Sequence, residues 1–512
     1  MGVLVACCAA VGYALAGLLA FCAWLWLNRP RTDIPGPHPL PLLGNVLYFR
    51  KLPVLLEHFR ELHRRYGDVF RFYAGPKLIV VVTRPEDAKR LLVGVKMRGR
   101  DAYAVTPLLP FTGNGLITSK GNIWKEHRRL IEPTFHSELM KDFMQQFNEG
   151  AEFVCKNLAA AAGTEYDITR MLIHATLAVV TASIFGKKMD EIEPDVNKQA
   201  EVADVFIEAL KLMQKRIYQP WLHNEWILSM LPDGKELRRQ TSIVNCTVQK
   251  AIDSLKKRNI AHGRARKSFL DVMTDSEGNF LLPEKEVSDE ARSLAIAGTE
   301  TAATTLGNAL VLLGLHPEWQ EAVWKEVDDV FRRGGAYLRT STENDLSKFR
   351  IMDAVLKETL RLYPAIPNPP VSTEEDIQLE GTGYVIPRDS LVLVSLILLH
   401  RRPDNFPDPD KFDPGRFLEG GSARSLPPGS YLPFGAGSRK CVGGRYAFLE
   451  MKTVLAAVLR RFRIFPGSSR EELEQVELSV SGSPVTGFRI ICIPRSDQPP
   501  NSVPHVPHAV NT

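Results

Sequence analysis

The apolar and polar positions of the chain change rhythm several times. Residues 1–27 carry no charged side chain, a run long enough to cross a hydrocarbon core as a helix. Trp24 and Trp26 lie near one end, where amphipathic rings favour the interface, and Arg29 and Arg31 supply a basic flank of the kind that stays cytoplasmic. A cleavable leader would have a shorter apolar run with basic residues before it. Residues 1–27 are therefore expected to be a transmembrane anchor. Residues 28–45 form an Arg/Pro-rich hinge, with Pro35, Pro37, Pro39 and Pro41 holding the backbone extended.

Beyond the hinge, apolar spacings of three and four predict a helix over 55–66, and alternation predicts strands over 69–73 and 78–82 across the Gly75-Pro76 turn. Thr83, Pro85 and Glu86 stand in the order of an N-cap, a first-turn proline and a capping glutamate for a helix to about residue 92. Helical periodicity then dominates residues 122–361, with loop signals near Gly163, Pro232-Asp233-Gly234 and Gly334-Gly335. Short strands are expected at 377–379, 384–386 and 391–393. An irregular run at 402–435 leads to a last helix over 445–462 and a β-like end at 487–493. The fold class is mainly α with a small β-rich lobe, one domain over 46–495. The tail at 496–512 has four prolines and no core-forming pattern, which predicts disorder.

Composition changes this picture little. The chain is 44% hydrophobic and 24% charged, and its formal charge of +5 comes without a clustered basic stripe, so no nucleic-acid partner is implied. A mildly basic surface suits an anionic membrane or an acidic protein partner. The seven cysteines (7, 8, 22, 155, 246, 441 and 492) are odd in number, scattered and without a C-x-x-C pair. That excludes a disulfide framework and the usual zinc-ribbon and thioredoxin arrangements.

One cysteine has unusual surroundings. Cys441 follows Gly435, Gly437 and Arg439 and precedes Gly443 and Gly444 at the start of the last helix. The glycines admit a close neighbour, and a nearby cation and a helix N-terminus both favour the thiolate, the form that binds metal. The ten residues from Phe434 to Gly443 read Phe-x-x-Gly-x-Arg-x-Cys-x-Gly, which resembles the haem-binding signature of the cytochrome P450 enzymes. That resemblance implies the helical prism fold of the family and makes Cys441 the axial ligand of a haem b iron, with Phe434, Arg439 and Gly443 beside it.

Other motifs extend the likeness over nearly the whole chain. Glu358 and Arg361, on one helix face, match the Glu-x-x-Arg pair that props the haem side, and Arg416 in Pro414-Gly415-Arg416-Phe417 matches its third partner. Ala297-Gly298-Thr299-Glu300-Thr301 resembles the distal helix that crosses the haem. There small residues leave room for dioxygen, Thr301 bonds the carbonyl of Ala297 and loosens the helix, and Glu300 with Thr301 relays protons. Trp124 and Arg128 match Trp-x-x-x-Arg, whose side chains hold a haem propionate. Val371 and Ser372 stand where a further propionate arginine is common. The stretch 127–136 is most similar to family four. Many members of that family carry at position 297 a glutamate that esterifies the haem, and alanine there predicts no such link.

The resemblance implies a monooxygenase that consumes O2, with electrons from a separate NADPH-dependent cytochrome reductase and cytochrome b5 as a further partner. It is expected in the endoplasmic reticulum membrane, single-pass, with its catalytic domain facing the cytosol. Lys440 is expected among the charges that dock the redox partner. Substrates are expected to be lipophilic, either fatty acids and related lipids or xenobiotics, with Ala104, Ile296, Ile366 and Val485 in the pocket. Two other readings are a haem-thiolate isomerase or dehydratase acting on lipid peroxides, and a non-catalytic haem protein. The Glu300–Thr301 pair disfavours both.

Overall fold

The computed structural model describes residues 29–495 apart from 42, 50–54, 95–100, 137–138, 263–267, 276, 334–336 and 479–480, with scattered positions between 12 and 27. The described positions of the expected anchor are helical. Among the described residues, no helix is long and apolar enough to cross a membrane. Most of residues 1–27 and all of the expected tail at 496–512 lie outside the described residues.

The chain is mainly helical. Its longer helices are α1 (Leu55–Tyr66), α2 (Gly121–Ile131), α3 (Leu139–Ala160), α4 (Thr169–Phe185), α5 (Val196–Tyr218), α6 (Pro232–His262), α7 (Glu284–Leu315), α8 (Pro317–Arg333), α9 (Arg350–Leu362) and α10 (Gly444–Arg461). α7 is 32 residues long, which at about 1.5 Å per residue makes it the long axis of the helical core. Beyond its first turn it is buried on nearly every side, and its last turns are almost wholly apolar, as a helix must be when others cover it all round. α4, α9 and α10 all pack against it, and α3 packs against α10.

A four-stranded sheet in the order Val69–Ala74, Lys77–Val82, Leu391–Val394, Pro370–Ser372 forms the β lobe. Its two inner strands run parallel, which brings chain segments about three hundred residues apart into register, Ile79 opposite Leu391. Apolar side chains pack on both of its faces. A second sheet, Glu165–Asp167, Arg489–Pro494 and Phe462–Pro466, closes the far end of α7.

Two local expectations are corrected. Thr83 does not cap the helix that follows: its hydroxyl donates to the carbonyl and carboxylate oxygens of Asp68, and the helix Pro85–Lys89 starts from Arg84 without a side-chain cap. Pro232-Asp233-Gly234 opens α6 rather than a loop. A proline in the first turn forfeits no helical hydrogen bond, and Gly234 is small because a Cβ there would meet the Leu228 carbonyl at 2.1 Å. Pro370–Ser372, where no strand is expected, is an edge strand, in which a missing N–H is tolerated.

The hinge lies against the sheet. The Arg71 N–H donates to the Pro35 carbonyl, the Tyr73 hydroxyl donates to the Pro30 carbonyl, and Ile34 is buried. Gly36 allows this contact, since a Cβ would sit 2.0 Å from the Arg71 carbonyl oxygen.

Candidate active site

α7 on one side and the loop 434–443 with the start of α10 on the other bound an apolar cavity of about 770 Å³. The loop turns tightly: the Cys441 N–H donates to the Phe434 carbonyl at 2.9 Å, and Gly435 and Gly437 take positive φ of 70° and 68°. Gly437 is required twice over, because a Cβ there would also meet the Leu92 carbonyl oxygen at 2.0 Å. Cys441 precedes α10, whose N-terminal N–H groups and dipole favour an anionic sulfur. Gly443 keeps the space beside that sulfur clear; a Cβ there would lie 3.9 Å from Cys441 Sγ and 3.7 Å from the Phe135 ring.

The cations gather along the same wall. Arg439 lies over the Trp124 ring at 4.0 Å from its centroid and donates to the Ser119 carbonyl. Arg128, one turn after Trp124 on α2, donates to the Lys440 carbonyl at 2.7 Å and to both carboxylate oxygens of Glu132. Trp124, Arg128 and Arg439 all line the cavity. A cysteine sulfur at one wall, a cleared space beside it, and arginines with an indole N–H around it fit a flat iron macrocycle bearing carboxylates.

On α7, the Thr301 hydroxyl donates to the Ala297 carbonyl at 2.7 Å, and Thr305 repeats the pattern onto Thr301. Ala297, Gly298 and Thr301 line the cavity. Gly298 serves helix packing as well, since a Cβ would meet the Val180 side chain of α4 at 2.7 Å. Glu300 is buried outside the cavity lining, and its carboxylate accepts from the Ser481 N–H at 3.3 Å. Of the expected pocket residues, Ala104 and Ile366 line the cavity, Ile296 packs in the core and Val485 is exposed.

Behind the loop, Glu358 and Arg361 are fully buried on α9 and paired in two bonds of 2.7 and 2.8 Å. Arg361 also donates to the carbonyls of His400, Pro409 and Lys411. Arg416 Nε lies 3.4 Å from Glu358, which also accepts from the Asp413 N–H.

Several members of the site escaped the sequence. His400 accepts the Leu432 N–H, which ties this network to the thiolate loop. Burial, with Arg361 and Arg401 nearby, pulls its pKa down to about 3, so it stays a neutral acceptor. His127 bridges α2 to α7 through Glu290 at 2.5 Å and Glu286 at 2.9 Å. Burial opposes its charge, but the two carboxylates prevail and raise its pKa.

Glu450 on α10 lines the cavity, is 1% exposed, and has no hydrogen-bond partner for either oxygen among the described residues. Burial raises its pKa well above the usual carboxylate range, which keeps the acid neutral. A carboxyl whose folded pKa is raised contributes fully below the unfolded value of about 4.3, and that contribution is lost as pH rises toward the folded pKa. Glu450→Gln cannot ionise. Its stability relative to the native chain should therefore grow between about pH 5 and 8, by up to about 1.4 kcal/mol per unit. Melting temperatures of the two proteins across that range check this; parallel curves would show Glu450 charged when folded.

A cysteine before a helix N-terminus, facing a helix whose Thr301 hydroxyl bonds the Ala297 carbonyl and flanked by arginines, fits a haem-thiolate protein. The family model described as Cytochrome P450 matches residues 34–487. Cytochrome P450 4V2 of Rattus norvegicus is 30% identical over 467 residues, covering 87% of this chain and 86% of the relative. Probable cytochrome P450 4s3 of Drosophila melanogaster is 27% identical over 93% of this chain and 94% of the relative. Cytochrome P450 4c21 of Blattella germanica is 29% identical over 91% and 94%. The chain belongs to the cytochrome P450 family and is related to family four: an oxidoreductase of monooxygenase type, using haem iron and dioxygen with electrons from a redox partner.

Proposed function

We propose that this enzyme inserts one oxygen atom into a C–H or C=C bond of a lipophilic substrate, a fatty acid or related lipid or a xenobiotic, while the second atom leaves as water. The observation that carries this is that Cys441 and Thr301 face one apolar cavity from its two walls. The haem, when bound through Cys441, supplies dioxygen activation, and a thiolate ligand favours O–O cleavage. Trp124, Arg128 and Arg439 hold its carboxylates. The apolar lining excludes water and accepts the substrate's hydrocarbon.

Thr301, whose hydroxyl bonds the Ala297 carbonyl, hands protons into the cavity. Glu300 supplies them from behind, where Ser481 fixes its carboxylate. Glu358, Arg361 and Arg416 hold the thiolate loop from the rear. Electrons come from a separate NADPH-dependent reductase, docked near the exposed Lys440, with cytochrome b5 as a further partner. In this reading residues 1–27 anchor the enzyme in the endoplasmic reticulum membrane, residues 28–45 brace the join, and 46–495 is a catalytic domain facing the cytosol.

Turnover of a long-chain fatty acid should require NADPH and reductase together, with one product oxygen derived from labelled O2. Product formed from a lipid peroxide without reductase would instead favour the isomerase or dehydratase chemistry.

A further inference from the structure

Apart from Glu450, which has no partner either, several polar side chains of the cavity lining are bonded within the protein. Ser293 donates to the Thr112 carbonyl, Thr301 and Thr305 bond back along α7, and Arg128 is held by Glu132 and Lys440. Asn368 differs. It lines the cavity from the segment between α9 and the edge strand, and both its amide nitrogen and its amide oxygen are closed off from water without a hydrogen-bond partner among the described residues.

The local sequence explains why nothing nearby satisfies it. Pro367, Pro369 and Pro370 have no N–H to offer. The neighbouring carbonyls are engaged, Ala365 by the Gly482 N–H, Pro367 by that of Ile397 and Pro369 by that of Val394. Ile366 and Val371, which line the cavity beside it, are apolar. A buried amide with nothing to bond is costly to keep, and an aliphatic residue would fill such a wall without that cost.

Resting on the monooxygenase reading, we propose that Asn368 selects the substrate by pairing with a hydroxyl group on an otherwise apolar molecule. An amide carries donors and an acceptor together, and so does a hydroxyl: Nδ2 donates to its oxygen while Oδ1 accepts its proton. A carboxylate only accepts and would set its charge against Oδ1. A hydrocarbon leaves both amide atoms unpaired, which is how a site built for a hydroxyl rejects the analogue that lacks it. The pairing requires a side-chain rotation that turns the amide from the wall into the cavity.

The test uses the full-length holoenzyme and three probes of equal chain length, 1-dodecanol, dodecanoate and dodecane, delivered from the same detergent. Dissociation constants are read from the haem absorbance shift. Dodecanol should bind at least about tenfold more tightly than either other probe. Asn368→Leu should erase the gap between alcohol and hydrocarbon, weakening the alcohol and tightening dodecane. Asn368→Asp, which keeps only acceptors, should weaken the alcohol and should not favour the acid. A native preference for dodecanoate that Asn368→Leu abolishes would overturn the proposal, as would a dodecanol preference that survives in Asn368→Leu. Loss of haem from both variants would overturn it too, by making Asn368 a support of the cofactor. The carbon monoxide spectrum of the same samples is recorded first; its absence in the native enzyme is failure of the monooxygenase reading itself, independent of Asn368.

Discussion

Replacing Cys441 by serine is expected to abolish the haem-thiolate carbon monoxide spectrum and to cut turnover at least about a hundredfold, roughly 2.7 kcal/mol of activation free energy. The two side chains differ by one atom, and the difference lies in acidity. A thiol near a helix N-terminus gives up its proton within the physiological range, whereas an aliphatic hydroxyl does not, so serine offers iron a neutral, weak oxygen. The side chain supports no core, because Cys441 is exposed in the protein alone. Stability of the haem-free chain should therefore change by no more than about 0.5 kcal/mol. That separation gives the experiment its force: the loop should stay folded, held by the Cys441 N–H to Phe434 bond that serine retains, while the spectrum disappears. A spectrum that survives in Cys441→Ser would remove this residue as the ligand.

What could be read in advance depended on how local the determining interactions are. The ten residues around Cys441 were legible because their glycine, arginine and cysteine requirements are met within one loop. The helix at Leu55–Tyr66 and the strand pair after it were legible because each buries one face in a regular rhythm. Thr83 misled for the opposite reason: the sequence around it is a good cap, but Asp68, fifteen positions earlier, competes for its hydroxyl and wins.

Long-range pairing hid the rest. Nothing near His127 announces Glu286 and Glu290, which reach it only once α2 lies across α7. Glu132, four residues from Arg128, could have been found by helix spacing alone. Glu450 reads as one more charged position on an amphipathic helix, and only the packing of α10 shows that its carboxyl is closed off without a hydrogen-bond partner among the described residues. Glu300 shows the limit of a motif. The segment places it beside Thr301 in sequence, yet a helix turns about 100° per residue, and the carboxylate faces Ser481 behind the cavity wall.

Glu358→Ala should be the most destabilising single change at this site, costing about 3–5 kcal/mol, the range for breaking a fully buried ion pair. The direction follows from what remains. Arg361 keeps three backbone carbonyls as acceptors, but its charge stays buried with no anion beside it, and Arg416 loses the same carboxylate. Two guanidinium groups then share a dry site. The Asp413 N–H loses its acceptor as well, so the segment leading to the thiolate loop is freed at two points. Glu358→Gln keeps a side-chain oxygen for Arg361 and Asp413 without the charge and should cost less than alanine. Removing Arg361 as well should relieve part of the alanine penalty, because the stranded charge goes with it. Through His400, which bonds both Arg361 and Leu432, the loosened network reaches the loop that presents Cys441. Haem retention should therefore fall in the same order as stability. Urea midpoints and haem-to-protein ratios for the three variants check both claims; an alanine variant within about 1 kcal/mol of the native chain, with full haem, would show that the buried pair holds nothing in place.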